Sequence, residues 1–178
     1  MSKYSIITDR LGLRNWEEKD SQLAHKMNAD VRVMEFFPSN WSLEQTTAFI
    51  LRMKIHYEKH NFCYFAVDRL DTNTFIGFIG LMHQTYETGF NPFIDIGWRL
   101  LPEAWGNGFA TEGAKGCVKY AFTILNLPYV YAIAPKLNKK SQRVMQKIGM
   151  HEHIYFKHPN IDENDPLCEC VAHRIAQE

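Results

Sequence analysis

Gly106 and Gly108 lie between a segment that reads as a strand and one that reads as a helix. Residues 94–100 alternate apolar with polar or small side chains, which is the period of a strand, and Pro102 ends the pattern because it cannot donate to a ladder. From Phe109 onward, apolar residues recur on one helical face. A helix that begins at a glycine loop directs free N–H groups and its positive dipole end into that loop. The segment therefore predicts an anion site, and phosphate is the usual occupant.

The glycine spacing alone does not identify the ligand. An ordinary connection between a strand and a helix would look the same, and the segment is not a P-loop because no Gly-Lys-Ser/Thr sequence follows. A dinucleotide-binding fingerprint needs a third glycine three residues after Gly108, where this chain has Thr111. A second chemical pattern is needed to identify the ligand that the glycine loop binds.

Residues 138–150 supply that second pattern. Asn138 can cap the first turn of a helix with its side chain, Ser141 lies in that turn, and Gly149 ends the helix. The nearby cations are Lys136, Lys139, Lys140 and Arg143. They could form a solvated helix face, or they could contact an anionic ligand that carries several phosphates.

Together the two segments resemble the GNAT superfamily of acetyltransferases. Residues 103–108 are similar to its acetyl-CoA signature, in which a polar residue and two others precede Gly-x-Gly or Gly-x-Ala. Glu103 departs from the usual Gln or Arg at the first position. The longer run 97–112 looks like the branch that includes ribosomal-protein N-terminal acetyltransferases. Residues 138–149 match the second family motif, Asn-x-x-Ser followed by Lys-x-Gly.

The resemblance implies an N-acetyltransferase that uses acetyl-CoA and releases CoA. The acetyl group would pass to a primary amine of a small molecule or peptide by direct attack while both substrates are bound. The pyrophosphate would lie on backbone N–H groups of the glycine loop, and the thioester beside the second motif. The expected cofactor-binding residues are Trp98, Arg99, Leu100, Gly106, Asn107, Gly108, Phe109, Ala110, Asn138 and Ser141. The alternative is a non-catalytic module of this fold that binds CoA or acyl-CoA.

Three side chains are candidates for proton transfer. An ammonium cannot attack a thioester, and the resemblance implies Asp95 on the central strand as the base, acting through a water because its arm is short. Asp95 could instead only orient a neighbour, and His83 is the competing base because its ordinary pKa lies near neutrality. Ser141 is the candidate for donating to the leaving thiolate. Glu35, a third candidate base, and Phe37 are expected to bind the acceptor.

Bulk composition favours one soluble, cytoplasmic domain over residues 1–178. Hydrophobic residues make up 46% and charged residues 22%, and 20 basic residues balance 20 acidic ones. A nucleic-acid partner is not expected because such proteins carry a basic excess. A membrane partner is not expected because no apolar run approaches the ~18 residues of a membrane span. The chain is expected to be a monomer or a homodimer.

The four cysteines are expected to be reduced thiols, because their spacing is not that of a disulfide framework. Cys168 and Cys170, with the histidines near them, raise the question of a zinc site. No second close cysteine pair accompanies them, so no metal is predicted.

Hydrophobic periodicity predicts the order β-α-α-β-β-β-α-β-α-β-β. Asp20 and Ser42 are expected to cap the first two helices, and Ser42 with Gln45 matches a capping box. The predicted strands are 6–14, 62–67, 75–82, 94–100, 129–134, 151–157 and 167–175, and the predicted helices are 20–28, 42–60, 109–122 and 138–147. This is a mixed α/β (α+β) domain with a twisted, mostly antiparallel sheet flanked by helices, and its order resembles the GNAT fold.

Overall fold

The computed structural model describes residues 3–177. Its strands are β1 (Ile6–Ile7), β2 (Leu11–Arg14), β3 (Tyr64–Arg69), β4 (Phe75–Gln84), β5 (Phe93–Leu100), β6 (Tyr129–Pro135), β7 (His151–Lys157) and β8 (Glu169–Ala176). Its helices are α1 (Asp20–Asn28), α2 (Leu43–His60), α3 (Phe109–Thr123) and α4 (Lys139–Lys147), with a 3₁₀ turn at Pro102–Ala104. Within residues 3–177, no helix is long and apolar enough to cross a membrane.

All eight strands belong to one sheet in the order β1-β2-β3-β4-β5-β6-β8-β7. Every neighbouring pair is antiparallel except β5 and β6, which run parallel and are in register only at Asp95 and Tyr131. The predicted fold class is thus confirmed. The single strand predicted at 6–14 is wrong, because the chain turns between β1 and β2, where the Thr8 N–H donates to the Leu11 carbonyl at 2.9 Å. A two-residue strand is too short to show a period.

Two of the three predicted helix caps are present. Ser42 and Gln45 form both bonds of the capping box, at 3.1 and 2.8 Å, and the Asn138 side chain accepts from the Ser141 N–H at 3.0 Å. Asp20 is wrong as a cap, because α1 has Lys19 at its N-cap. The Asp20 carboxylate instead accepts two hydrogen bonds from Arg14, at 2.7 and 2.9 Å.

The buried Arg14 guanidinium ties α1 to the sheet. It binds Asp20 at the start of α1 and Asp68 on β3, and each of the three residues is at most 3% exposed. The Arg14 guanidinium lowers the pKa of Asp68 against the opposing effect of burial. Lys3 also pairs with Asp68, at 2.9 Å, so two cations balance the two carboxylates. The arrangement fixes α1, whose last residue, Asn28, reaches the candidate site.

The start of α3 is held in place by Glu112. Its carboxylate accepts from the Thr8 hydroxyl at 2.6 Å, from the Arg10 backbone N–H at 2.8 Å and from the Arg10 Nε at 2.6 Å. Farther along α3, Gly113 permits close contact with β4, since a Cβ there would lie 2.4 Å from Ile79 Cδ1. The N-terminus of α3 is therefore fixed beside the C-terminal end of β5.

Candidate active site

A cleft of about 450 Å³ opens where β5 ends. Its walls come from the loop after α1, the end of β5, the start of α3 and the start of α4. It brings together the two sequence segments that carry the chemical patterns. The predicted site residues that line it are Glu35, Phe37, Trp98, Arg99, Leu100, Gly106, Gly108, Phe109, Ala110, Asn138 and Ser141.

The glycine loop exposes backbone rather than side chains to the cleft. Gly106 and Gly108 have φ of 78° and 79°, a region in which residues with a Cβ are strained. A Cβ on Gly106 would meet no atom within 4 Å, and one on Gly108 would meet only Arg10 Nη2 at 3.7 Å. Gly108 is the N-cap of α3, and its carbonyl accepts the first helical bond, from Glu112. The N–H groups of the first helical turn are thus available to an anion.

Asn107 shapes this loop instead of lining the cleft. Its amide donates to the Ala104 carbonyl at 3.3 Å and to the Trp105 carbonyl at 2.9 Å. The Trp105 indole N–H in turn donates to the Leu100 carbonyl at 2.9 Å. These bonds join the loop to the end of β5. The Asn107 side chain does not line the cleft, and the expected contact of a cofactor with Asn107 through its backbone N–H stays a prediction.

The end of β5 presents an unpaired edge to the cleft. Strands β5 and β6 stop pairing after Asp95. The Leu101 N–H points toward β4, because it donates to the Ile76 carbonyl at 2.9 Å. Alternate residues of an antiparallel strand point their N–H groups to opposite edges, so Trp98 and Leu100 direct theirs into the gap beside β6. Two parallel strands that diverge in this way leave a slot with hydrogen-bond donors on one wall.

Ser141 lies on the opposite wall, in the first turn of α4. Of the predicted basic patch, Lys140 lines the cleft, and its ammonium lies 3.7 Å from the Glu35 carboxylate. Lys136 points elsewhere and pairs with Glu169 at 2.9 Å. Cleft-lining residues that the sequence analysis did not single out as ligand contacts are Arg32, Val33, Ala104, Trp105, Thr111, Val144 and Lys147. Val144 and Lys147 follow Ser141 at helical spacing and could have been inferred from it.

Asp95 is buried, with 8% of its surface exposed, and it does not line the cleft. Its Oδ1 accepts from the Tyr64 hydroxyl at 2.7 Å and from the Gln84 amide at 2.9 Å. Burial raises the pKa of Asp95 to about 6, although both hydrogen bonds act in the opposite direction. The Tyr64 ring covers Gly97, where a Cβ would approach it to 3.0 Å. A carboxyl with this pKa can exchange a proton near neutral pH.

His83 lies in a group of three imidazoles outside the cleft lining. One ring nitrogen from each of His56, His60 and His83 lies within 4.8 Å of the other two. His83 Nδ1 is 3.2 Å from His56 Nε2, and His56 Nδ1 is 2.7 Å from the Phe62 carbonyl oxygen. Burial lowers the pKa of both His56 and His83. The signal for this group was the four-residue spacing of His56 and His60 on a helix, which places two side chains on one face.

Cys168 and Cys170, which had been considered as zinc ligands, are buried free thiols, as are the other two cysteines. The thiols of Cys168 and Cys170 lie 3.8 and 3.6 Å from the carbonyl oxygens of His158 and Leu167. Burial raises the pKa of Cys170 to about 12, which keeps it protonated.

Comparison with known proteins gives consistent matches over most of the chain. The family model described as an acetyltransferase (GNAT) domain matches residues 10–151. The chain is similar to the uncharacterized N-acetyltransferase YnaD of Bacillus subtilis, at 32% identity over 85% of each chain. It is 28% identical to spermidine N(1)-acetyltransferase of Escherichia coli, over 77% of this chain and 70% of that one. An acetyltransferase structure from Agrobacterium tumefaciens superposes with a TM-score of 0.81 at 25% identity, covering 99% and 96% of the two chains.

Proposed function

Because the chain belongs to the GNAT family and is an N-acetyltransferase, we propose that it transfers an acetyl group from acetyl-CoA to a small primary amine. One observation carries the proposal: the glycine loop, the start of α4 and the unpaired edge of β5 meet in a single cleft. A relative at 28% identity is named as a spermidine acetyltransferase, and spermidine is an amine. This name supports a small amine as the class of acceptor.

The residues of the cleft fit acetyl-CoA. Gly106 and Gly108 leave the space before the α3 N-terminus free of side chains, which suits a pyrophosphate. The free N–H groups of Trp98 and Leu100 suit the amide-bearing pantetheine arm and the acyl oxygen. Lys140 supplies a positive charge beside Ser141. When bound, acetyl-CoA supplies an activated acyl thioester to this site.

Such a transfer needs groups that accept a proton, stabilise negative charge and assist the leaving sulfur. The amine nitrogen must form a bond to the acyl carbon, the carbon–sulfur bond must break, and the proton lost by nitrogen must balance the one gained by sulfur. A backbone N–H from Trp98 or Leu100 stabilises negative charge that develops on the acyl oxygen. Asp95 accepts the proton from the amine through water, since its carboxyl does not itself line the cleft. Ser141 donates a hydrogen bond to the leaving sulfur, which departs as a thiolate and takes its proton from solvent, while the proton on Asp95 returns to solvent.

The direct test is an acceptor screen. Purified protein is incubated with acetyl-CoA and a panel of amino acids, polyamines, amino sugars and short peptides, and acetylated products are detected by mass spectrometry. We expect product with at least one primary amine and stoichiometric release of CoA. A protein that binds CoA tightly yet acetylates nothing in the panel would be the non-catalytic binding module instead.

Ser141→Ala is expected to lower kcat by about tenfold to a hundredfold while CoA affinity changes by less than about threefold. The hydroxyl is assigned to the leaving thiolate, which develops late in the reaction, so its loss acts on the transition state. Steady-state kinetics and CoA calorimetry on the same preparation separate the two effects. An unchanged kcat with a raised KM for acetyl-CoA would assign Ser141 to cofactor binding alone.

A further inference from the structure

Arg99 is a buried cation without a counter-charge. Its side chain is 6% exposed, its Nη1 donates to the Asn28 side-chain oxygen at 2.7 Å, and its Nε has no acceptor. Among residues 3–177, no carboxylate lies within 4.0 Å of its guanidinium. Arg14, which is also buried, pairs with two carboxylates. Because a buried, unpaired charge is costly, the difference between these arginines requires an explanation.

Aromatic rings surround Arg99 but leave its charge unneutralised. The guanidinium carbon lies 4.0 Å from the ring centre of Phe37, 4.6 Å from that of Trp41 and 5.3 Å from that of Phe78. Ring faces attract a cation, yet they carry no net charge. Burial lowers the pKa of Arg99, as expected for a cation removed from water. Phe37 is 38% exposed and lies in the loop between α1 and α2, so on this side the guanidinium is covered only by a ring at the surface.

Arg99 reaches the cleft from the face of the sheet opposite to the glycine loop. Its side chain lies on the same face as Phe78, its neighbour across the β4–β5 pair. Ile79, the next residue on β4, faces the other way and contacts α3 at Gly113. The anion site at the α3 N-terminus is therefore on one side of β5, and the Arg99 guanidinium is on the other. A pyrophosphate held by the glycine loop leaves Arg99 without a partner, so the missing negative charge belongs to the second substrate.

We propose that the acceptor is a primary amine that also carries a carboxylate, as an amino acid does, and that Arg99 binds this carboxylate. The inference rests on the proposed function and specifies its acceptor. Of the four cations in the cleft lining, Arg32 pairs with Asp30 and Lys140 with Glu35, whereas among residues 3–177 no carboxylate lies within 4.0 Å of Arg99 or Lys147. This unpaired positive charge favours an anionic acceptor group over a polyamine. A guanidinium offers planar paired donors that match a carboxylate.

The test compares acceptors that differ only in the carboxylate. Each of a panel of amino acids is paired with its carboxamide and with its decarboxylated amine, and spermidine is included. Binding to the CoA-loaded protein is measured by calorimetry and thermal shift, without turnover. For the best pair, we expect the acid to bind at least about 100-fold more tightly than the amide, as for loss of one partner of a buried charge pair. Equal or tighter binding of the amides, the amines or spermidine would overturn the inference.

Variants assign the effect to Arg99. Arg99→Gln retains a donor for Asn28 but removes the charge, so affinity for the acid should fall about 100-fold while affinity for the amide stays within about threefold. Arg52→Gln is the control, because it removes one positive charge from the exposed face of α2. An equal loss for acid and amide in Arg99→Gln would indicate a structural role. If that variant does not fold, the acid–amide comparison in the wild-type protein still decides.

Measurements of binding and of turnover distinguish failure of the carboxylate site from failure of the transfer reaction. Preferential binding of the acids without acetylation would leave the acceptor site intact as a carboxylate site and would contradict the transfer reaction. Acetylation of amines without preference for a carboxylate would support the transfer reaction and reject the role of Arg99.

Discussion

Gly108→Val is expected to reduce CoA affinity at least about 100-fold in a protein that still folds. Gly108 has φ of 79°, where a β-branched residue is strained by roughly 1–3 kcal/mol. The space in front of it is otherwise open, since the nearest side-chain atom to an added Cβ is 3.7 Å away. The valine methyl groups would occupy the path of an anion toward the N–H groups of α3. Calorimetry with CoA measures the effect directly.

Gly89→Val is the matched control for Gly108→Val. Gly89 has φ of 83°, is exposed, meets no atom within 4 Å of an added Cβ and does not line the cleft. Both variants should therefore lose similar thermal stability through backbone strain, whereas only Gly108→Val should lose CoA. Unchanged CoA affinity in folded Gly108→Val would show that the anion binds elsewhere. Loss of CoA in both variants would trace the effect to general destabilisation.

Local sequence signals were sufficient where one segment decides its own structure. The capping box at Ser42 and Gln45 needs only residues three apart, and both of its bonds form. The strand, glycine loop and helix around Gly108 follow from periodicity and turn chemistry. The Asn138 cap is likewise local. These segments account for most of the cleft lining. The resemblance to the GNAT superfamily, which is confirmed, therefore rested on the residues that form the cleft.

Local signals failed where a distant partner decides the outcome. The local sequence predicts Asp20 as a helix cap, but its carboxylate pairs with Arg14, which also pairs with Asp68 in a buried ion network. Arg99 sits on a strand at a position whose charge suggests exposure, and its burial depends on Asn28, Phe37 and Trp41, all more than 50 positions earlier. Which charged strand residue will be buried cannot be read from alternation, because the packing partners lie far away in the sequence.

Asp95→Asn is expected to make the protein more stable and less active. In the folded state burial raises the pKa of Asp95 from 3.8 to about 6, so ionisation above pH 6 costs about 3 kcal/mol of folding free energy. A group with a raised pKa contributes stability below its unfolded pKa and loses it as pH rises through its folded pKa. Asparagine does not ionise and can still accept from Tyr64 and Gln84. Denaturant unfolding at pH 4 and pH 8 should show the variant gaining stability over wild type only at the higher pH.

The same substitution tests the base. We expect kcat/KM of Asp95→Asn to fall about 100-fold at pH 7 and to recover partly at higher pH, where more of the amine is already neutral. His83→Ala should keep the acidic limb of the wild-type pH–rate profile, because His83 lies with His56 and His60 outside the cleft lining.

Stability and rate together separate the roles that Asp95 could have. If Asp95 is the base, replacing it should raise the stability of the fold and lower kcat/KM. Burial both raises the pKa of Asp95 and makes its ionisation unfavourable for folding. If Asp95 is purely structural, replacing it should lower both stability and kcat/KM, because Tyr64 and Gln84 would lose a charged acceptor.

A small loss of rate in Asp95→Asn, with loss of the acidic limb in His83→Ala, would make His83 the base. If neither change affects the profile, the amine reaches the site already neutral. An α-amine, with a reference pKa of about 7.7–8.0, meets that condition far more readily than a lysine side chain at about 10.4.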